Sequence, residues 1–106
     1  MNTTSPITQT SPITLMAALS FIAPVDEDAL AALAAVTAAT RAEPGCQEYA
    51  AHVHTEDPCR VFFYERWLDQ AALDGHNASA HLAAFRASVG PKLAKPGELS
   101  FWKRLD

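Results

Sequence analysis

The sequence predicts an α+β fold, ferredoxin-like, in which the order β-α-β-β-α-β builds a four-stranded antiparallel sheet with helices on one face. Three observations predict it. Segments rich in β-formers recur at 13–23, 46–54, 60–67 and 99–105. Helical patterns opened by capping carboxylates lie between them, after Asp26 and after Asp69. Only five residues, 55–59, with the tight turn Glu56-Asp57-Pro58 among them, separate the two middle strands, so they form an antiparallel hairpin. A chain of 106 residues is the length of one domain. Residues 13–106 are assigned to it, and the uncharged Ser/Thr/Pro-rich residues 1–12 to a flexible tail.

From Ile13 to Ala23 apolar residues occupy both parities, Leu15, Ala17, Leu19 and Phe21 on one and Met16, Ala18 and Ile22 on the other. That pattern predicts a strand buried on both faces, ended by Pro24. Asp26-Glu27-Asp28 then opens a helix, because carboxylates satisfy its free N–H groups and suit the positive end of its dipole. Leu30, Leu33 and Thr37, with Val36 beside them, form its expected apolar stripe, and Arg41 lies in its last turn. Glu43-Pro44-Gly45 stops the helix, with Gly45 taking the positive φ of a type II turn.

Cys46 to His54 reads as the second strand, with Tyr49, Ala51 and Val53 on one face. Arg60 to Trp67 reads as the third, through Val61, Phe62, Phe63 and Tyr64. Asp69 caps a short helix through Gly75, and a second helical segment runs from Ala78 to Val89 with His81, Phe85 and Val89 on one stripe. Gly90-Pro91 ends it, and Leu99 to Leu105 is the last strand.

Twelve acidic residues against eight basic ones give a net charge of −4, which excludes nucleic acid and anionic membranes as partners, since both need a basic patch. The longest apolar stretch, Leu15 to Val25, is broken by Ser20 and Pro24 and falls short of a membrane span. No Lys or Arg precedes Arg41, so the basic region of a signal peptide is absent and a cytoplasmic location is expected. Cys46 and Cys59 stand at opposite ends of a strand of roughly 25 Å. They cannot bridge within one subunit, because a disulfide needs Cα atoms within about 7 Å. Alanine makes up about a fifth of the chain. It forms helix well but contributes little buried area, so a second copy is expected to complete the core.

Glu43-Pro44-Gly45-Cys46 followed by Tyr49, then Tyr64-Glu65-Arg66-Trp67, then His76, Ser79, His81 and Phe85, resembles the antibiotic biosynthesis monooxygenase family across residues 13–105. The resemblance implies a homodimer in which two sheets close into a dimeric α/β barrel, with one cavity per subunit between the sheet and its helices. It implies a small cofactor-independent monooxygenase of a hydroquinone or polycyclic phenol, using molecular oxygen. A non-catalytic ligand-binding dimer and an isomerase of a small phosphorylated carbonyl compound are the alternatives. The haem-degrading branch is disfavoured, because the first strand has no Asn and the matching helical positions are His76 and Arg86.

Oxygenation without flavin or metal needs a substrate that reduces oxygen itself, a base that titrates near neutrality and a dry pocket. No Gly-rich phosphate loop is present, so no dinucleotide is expected. Glu65 and Trp67 share a strand face, which the resemblance assigns to the cavity. The expected catalytic residues are His76, His81 and Glu65, with either histidine as base and Glu65 bonded to one of them. Trp67, Tyr49 and Phe85 are expected as pocket walls, a role that competes with plain core packing. Glu43 reads as a turn residue. His52 and His54 share a strand face but are two ligands of the three or four a zinc site needs, and His76 and His81 are about 140° apart around an ideal helix, so no metal is expected.

Overall fold

A computed structural model describes residues 11–106. The expected tail, residues 1–12, lies outside the described residues except for its last two positions. The strands are β1 (Ile13–Ser20), β2 (Cys46–Val53), β3 (Arg60–Trp67) and β4 (Glu98–Trp102). The helices are α1 (Glu27–Arg41), α2 (Gln70–Asn77) and α3 (Ala80–Val89), the last running into a 3₁₀ turn at Gly90–Lys92. One sheet orders the strands β2-β3-β1-β4, every neighbour antiparallel. This is the ferredoxin-like α+β arrangement the sequence predicts.

Each helix begins where a side chain replaces the missing turn. Asp26 accepts from Ala29 N at 2.8 Å, Asp69 from Ala72 N at 2.9 Å and Ser79 from Leu82 N at 3.3 Å. The Ser79 cap sets the start of α3 two residues after the expected Ala78, and α2 continues past Gly75 to Asn77. The apolar stripe of α1 differs from expectation. Ala29, Leu33, Val36 and Thr40 are buried, whereas Leu30 is 56% exposed. The spacing 29/33/36/40 is itself helical, and the small Ala29 brings the helix close to the sheet. Side-chain bulk pointed to the neighbouring face.

β1 ends at Ser20 instead of Ala23. Phe21 leaves the ladder to bridge Leu93, and its N–H donates to Cys59 O at 2.8 Å. Nor is β1 buried on both faces: Leu15 is buried toward the helices, while Ala18 on the other side is exposed. β4 is an exposed edge strand that begins one residue before the expected Leu99 and ends at Trp102, three residues short of Leu105, which is 95% exposed. The core lies between one sheet face, with Leu15, Tyr49, Phe63 and Trp67, and the helices, with Leu33, Val36, Leu82 and Val89. Cys46 and Cys59 are free. Among the described residues no helix is long and apolar enough to cross a membrane.

Gly45 has φ +82, as the turn requires, and Cys46 N donates back to Glu43 O at 3.2 Å. A Cβ on Gly45 would stand 2.6 Å from Ala72 Cβ, so the turn packs directly on α2. That contact places Glu43 beside the helices that carry both histidines.

Candidate active site

The register aligns the helix-facing side chains in rows. Tyr49 pairs with Glu65, Glu65 with Leu15 and Leu15 with Phe101, and the next row is Ala51, Phe63, Ala17 and Leu99. Above these rows, α2 and α3 leave a cavity of about 310 Å³. Both rows line it except Ala51, joined by Leu82 and Phe85 from α3 and by His76 from α2. Arg86 is the only Lys or Arg among its lining residues. Apolar walls with a few convergent polar groups are the usual character of a small-molecule site.

Glu65 is 4% exposed. Trp67 Nε1–H donates to its Oε1 at 2.9 Å. Burial pushes the Glu65 carboxyl up to about 7, the indole hydrogen bond opposes that, and the Glu43 charge adds to it. A carboxyl so placed exchanges a proton near neutral pH. Tyr49 is buried, and burial first and the Glu65 charge second hold its phenol well above its ordinary range, so it stays neutral.

The expected bond from Glu65 to a histidine is not formed, because the Trp67 indole holds the carboxyl on its own strand. The carboxylate that meets the histidines is Glu43, read from sequence as a turn residue. Its Oε2 lies 2.8 Å from His76 Nδ1 and 2.6 Å from His81 Nε2. An ionised carboxylate only accepts, so both ring nitrogens carry hydrogen. His76 is 3% exposed, with the Trp67 ring 4.7 Å away and the Tyr49 ring 5.4 Å away. Its Nε2 makes no hydrogen bond to any described residue. Held at Nδ1 and bare at Nε2, the ring has the arrangement of an oriented general base.

The remaining expected site residues fall in different places. Tyr49 and Phe85 line the cavity, and Phe85 meets Phe63 edge to face at 5.8 Å. Trp67, expected as a wall, is fully buried and is not a lining residue; it stands behind the wall as donor to Glu65 and neighbour of His76. His81 does not line the main cavity. It faces a separate groove between α1 and α3 with Ala32, Val36 and Ala84. His52 stacks on Phe62 at 4.5 Å, and His54 Nδ1 accepts from Glu56 N and Asp57 N, so the two have separate local duties.

Glu43, His76 and His81 are also the one group among the described residues with donors spaced for a metal, all within 4.8 Å of one another. Tetrahedral ligands at about 2.0–2.1 Å from zinc stand roughly 3.3 Å apart. The carboxylate oxygen is 2.8 and 2.6 Å from the two nitrogens, which is the spacing of charge-assisted hydrogen bonds. A metal would have to lengthen both of these contacts.

A family model described as antibiotic biosynthesis monooxygenase matches residues 12–88. Rv0793 of Mycobacterium tuberculosis, whose name assigns it provisionally to the monooxygenases, is 36% identical over 76 residues, 72% of this chain and 74% of that protein. The solved structure of Rv0793 is similar at a TM-score of 0.76 and 31% identity, over 91% of this chain and 97% of the other. SO0527 from Shewanella oneidensis is similar at a TM-score of 0.77 and 30% identity, over 88% and 90%. PA3566 from Pseudomonas aeruginosa is similar at 0.77 and 29%, over 92% and 98%.

Proposed function

Because the chain belongs to the antibiotic biosynthesis monooxygenase family, we propose that it is a cofactor-independent monooxygenase of a hydroquinone or polycyclic phenol. The observation that carries this reading is the pairing of two proton-handling groups in one apolar cavity: the Glu65 carboxyl, poised near 7, and the bare Nε2 of His76. Phe63, Phe85 and Tyr49 offer ring faces to an aromatic substrate. The lack of a second lining cation beside Arg86 disfavours a phosphorylated one.

In this reading His76 Nε2 takes the phenolic proton, and the phenolate is electron-rich enough to reduce oxygen. One oxygen atom bonds to the ring and the other leaves as water. All four electrons come from the substrate, two as the ring C–H becomes C–OH and two as hydroquinone becomes quinone. Glu65 returns the proton that the departing oxygen needs. Dry walls protect the reduced oxygen species from bulk water.

Oxygen uptake by metal-free and flavin-free protein, over a panel of quinols and polycyclic phenols, tests this. Turnover with one water formed per oxygen is expected, and His76→Asn should lower kcat by roughly 100-fold or more. A folded protein inert across the panel overturns the reading for those substrates.

The same reading makes residues 13–106 one domain and the working unit a homodimer joined through the outer sheet face. Its support is the row Ala50, Tyr64, Met16 and Ser100, which no helix among the described residues covers. A cytoplasmic location is part of it, supported by the two free cysteines.

A further inference from the structure

Glu43 joins two places that are otherwise separate. His76 lines the main cavity and its side chain is 4% exposed; His81 lines the groove between α1 and α3 and its side chain is 29% exposed. One oxygen of one carboxylate touches both rings. Among the described residues Glu43 has no Lys or Arg partner, so its single negative charge is balanced through these rings alone.

We propose that Glu43 couples His76 and His81 into one proton-sharing unit, in which proton uptake at the cavity-facing Nε2 of His76 is matched by proton release from Nδ1 of His81 into the groove. This rests on the proposed function, and makes Glu43 and His81 positioning residues for the base. In the proposed unit the extra proton sits on His81, because its side chain is 29% exposed against 4% for His76 and water can solvate the charge there, and His76 keeps one hydrogen, on Nδ1. When Nε2 takes the substrate proton, two imidazolium rings would face one carboxylate with their donor atoms within 4.8 Å of each other. Like charges so close are not held together. His81 therefore gives its Nδ1 proton to water and keeps the Nε2–H that bonds Glu43. The substrate oxygen loses one proton, water gains one, and the charge of the unit is unchanged. No proton has to pass back through the cavity mouth.

The surroundings favour the exchange. Tyr49 from β2 and Trp67 from β3 contact His76 through uncharged rings. Glu65 from β3 feels the Glu43 charge, as does Cys46 from β2, whose thiol burial raises. Arg41, at the end of α1, directs its Nε–H to the Tyr49 carbonyl at 2.9 Å and not to Glu43. The shared negative charge is thus left to the two rings.

Histidine side-chain NMR of the nitrogen-15-labelled full chain tests this without any substrate. With four histidines, His52→Asn and His54→Asn identify the other pair. The proposal expects the His76 and His81 curves of the unmodified protein each to show two steps at shared pH values. His81→Asn should turn the His76 curve into a single step at higher pH, because the carboxylate then serves one ring. Glu43→Gln should remove the coupling and move both rings to lower pH. Independent single-step curves in the unmodified protein overturn the proposal, as does a His76 curve that His81→Asn leaves unchanged. Because the first reading uses no variant, misfolding of a variant does not shield the proposal. Inactivity in the oxygen assay with two-step curves refutes the enzyme reading alone; turnover with independent curves refutes the coupling alone.

Discussion

Glu65 carries a cost that the fold accepts. An ordinary Glu titrates at 4.5, and this one is pushed to about 7, burial being the main cause. The folded chain therefore holds a proton between those pH values that the unfolded chain has released. Stability is unaffected by this group below about pH 4.5 and falls as pH rises toward 7. The difference corresponds to about 3 kcal/mol at most, at 1.36 kcal/mol per unit. Glu65→Gln imitates the protonated side chain and should remove that dependence. Urea unfolding at pH 4 and pH 8 checks this: the variant should match the unmodified protein at the lower pH and exceed it at the higher. Equal stability of the two at pH 8 would show a carboxyl with no buried cost. Glu65 is marked in the sequence by standing in an apolar strand, where a carboxylate needs a partner. Glu43 has no such mark. It precedes a proline and fits a turn, and its partners lie 33 and 38 positions away, beyond the reach of any local spacing rule.

At the scale of elements, capping chemistry is the most legible signal. Asp26, Asp69 and Ser79 each satisfy N–H groups within three residues, so the information is local. The buried stripe of α1 is decided instead by what it packs on, and small residues win the side where backbone and sheet approach closely. The turn ahead of β2 has the same character. Gly45 needs a positive φ, which the sequence shows, and open space beside Ala72, which it does not. Gly45→Ala should therefore lose both a favourable backbone state and the contact with α2, at about 1–3 kcal/mol. Because that contact sets Glu43 against the histidines, thermal unfolding and the His76 titration should change together. Adding Ala72→Gly should recover the steric part of the loss and leave the backbone part. Full recovery would mean that φ costs nothing here; no recovery would mean that the contact does not position the turn.

For the molecule as a whole, the element order was readable because short connections leave few topologies open, and a split βαβ order with one hairpin leads to the observed sheet. What covers the other sheet face is not a property of one chain's order. Met16 pairs with Tyr64 and with Ser100 on that face, and Trp102, 59% exposed, lies in the adjacent row opposite Thr14. Apolar groups on both parities of β1 predict burial on both sides, yet among the described residues only the helix side is covered. The two facts agree if the second side is buried by a second copy, as the proposed dimer requires. A two-fold contact brings the same central strands together, so one substitution acts twice. Met16→Glu would place two carboxylates in that contact and leave each without a partner. Sedimentation velocity at micromolar concentration should show a dimer for the unmodified chain and a monomer for the variant. The variant's helices and its Glu43–histidine bonds, on the opposite face, should persist in circular dichroism and histidine NMR. A monomeric unmodified chain would defeat the dimer; Glu65 and His76 line a cavity within one chain, so the oxygen assay would still test their chemistry separately.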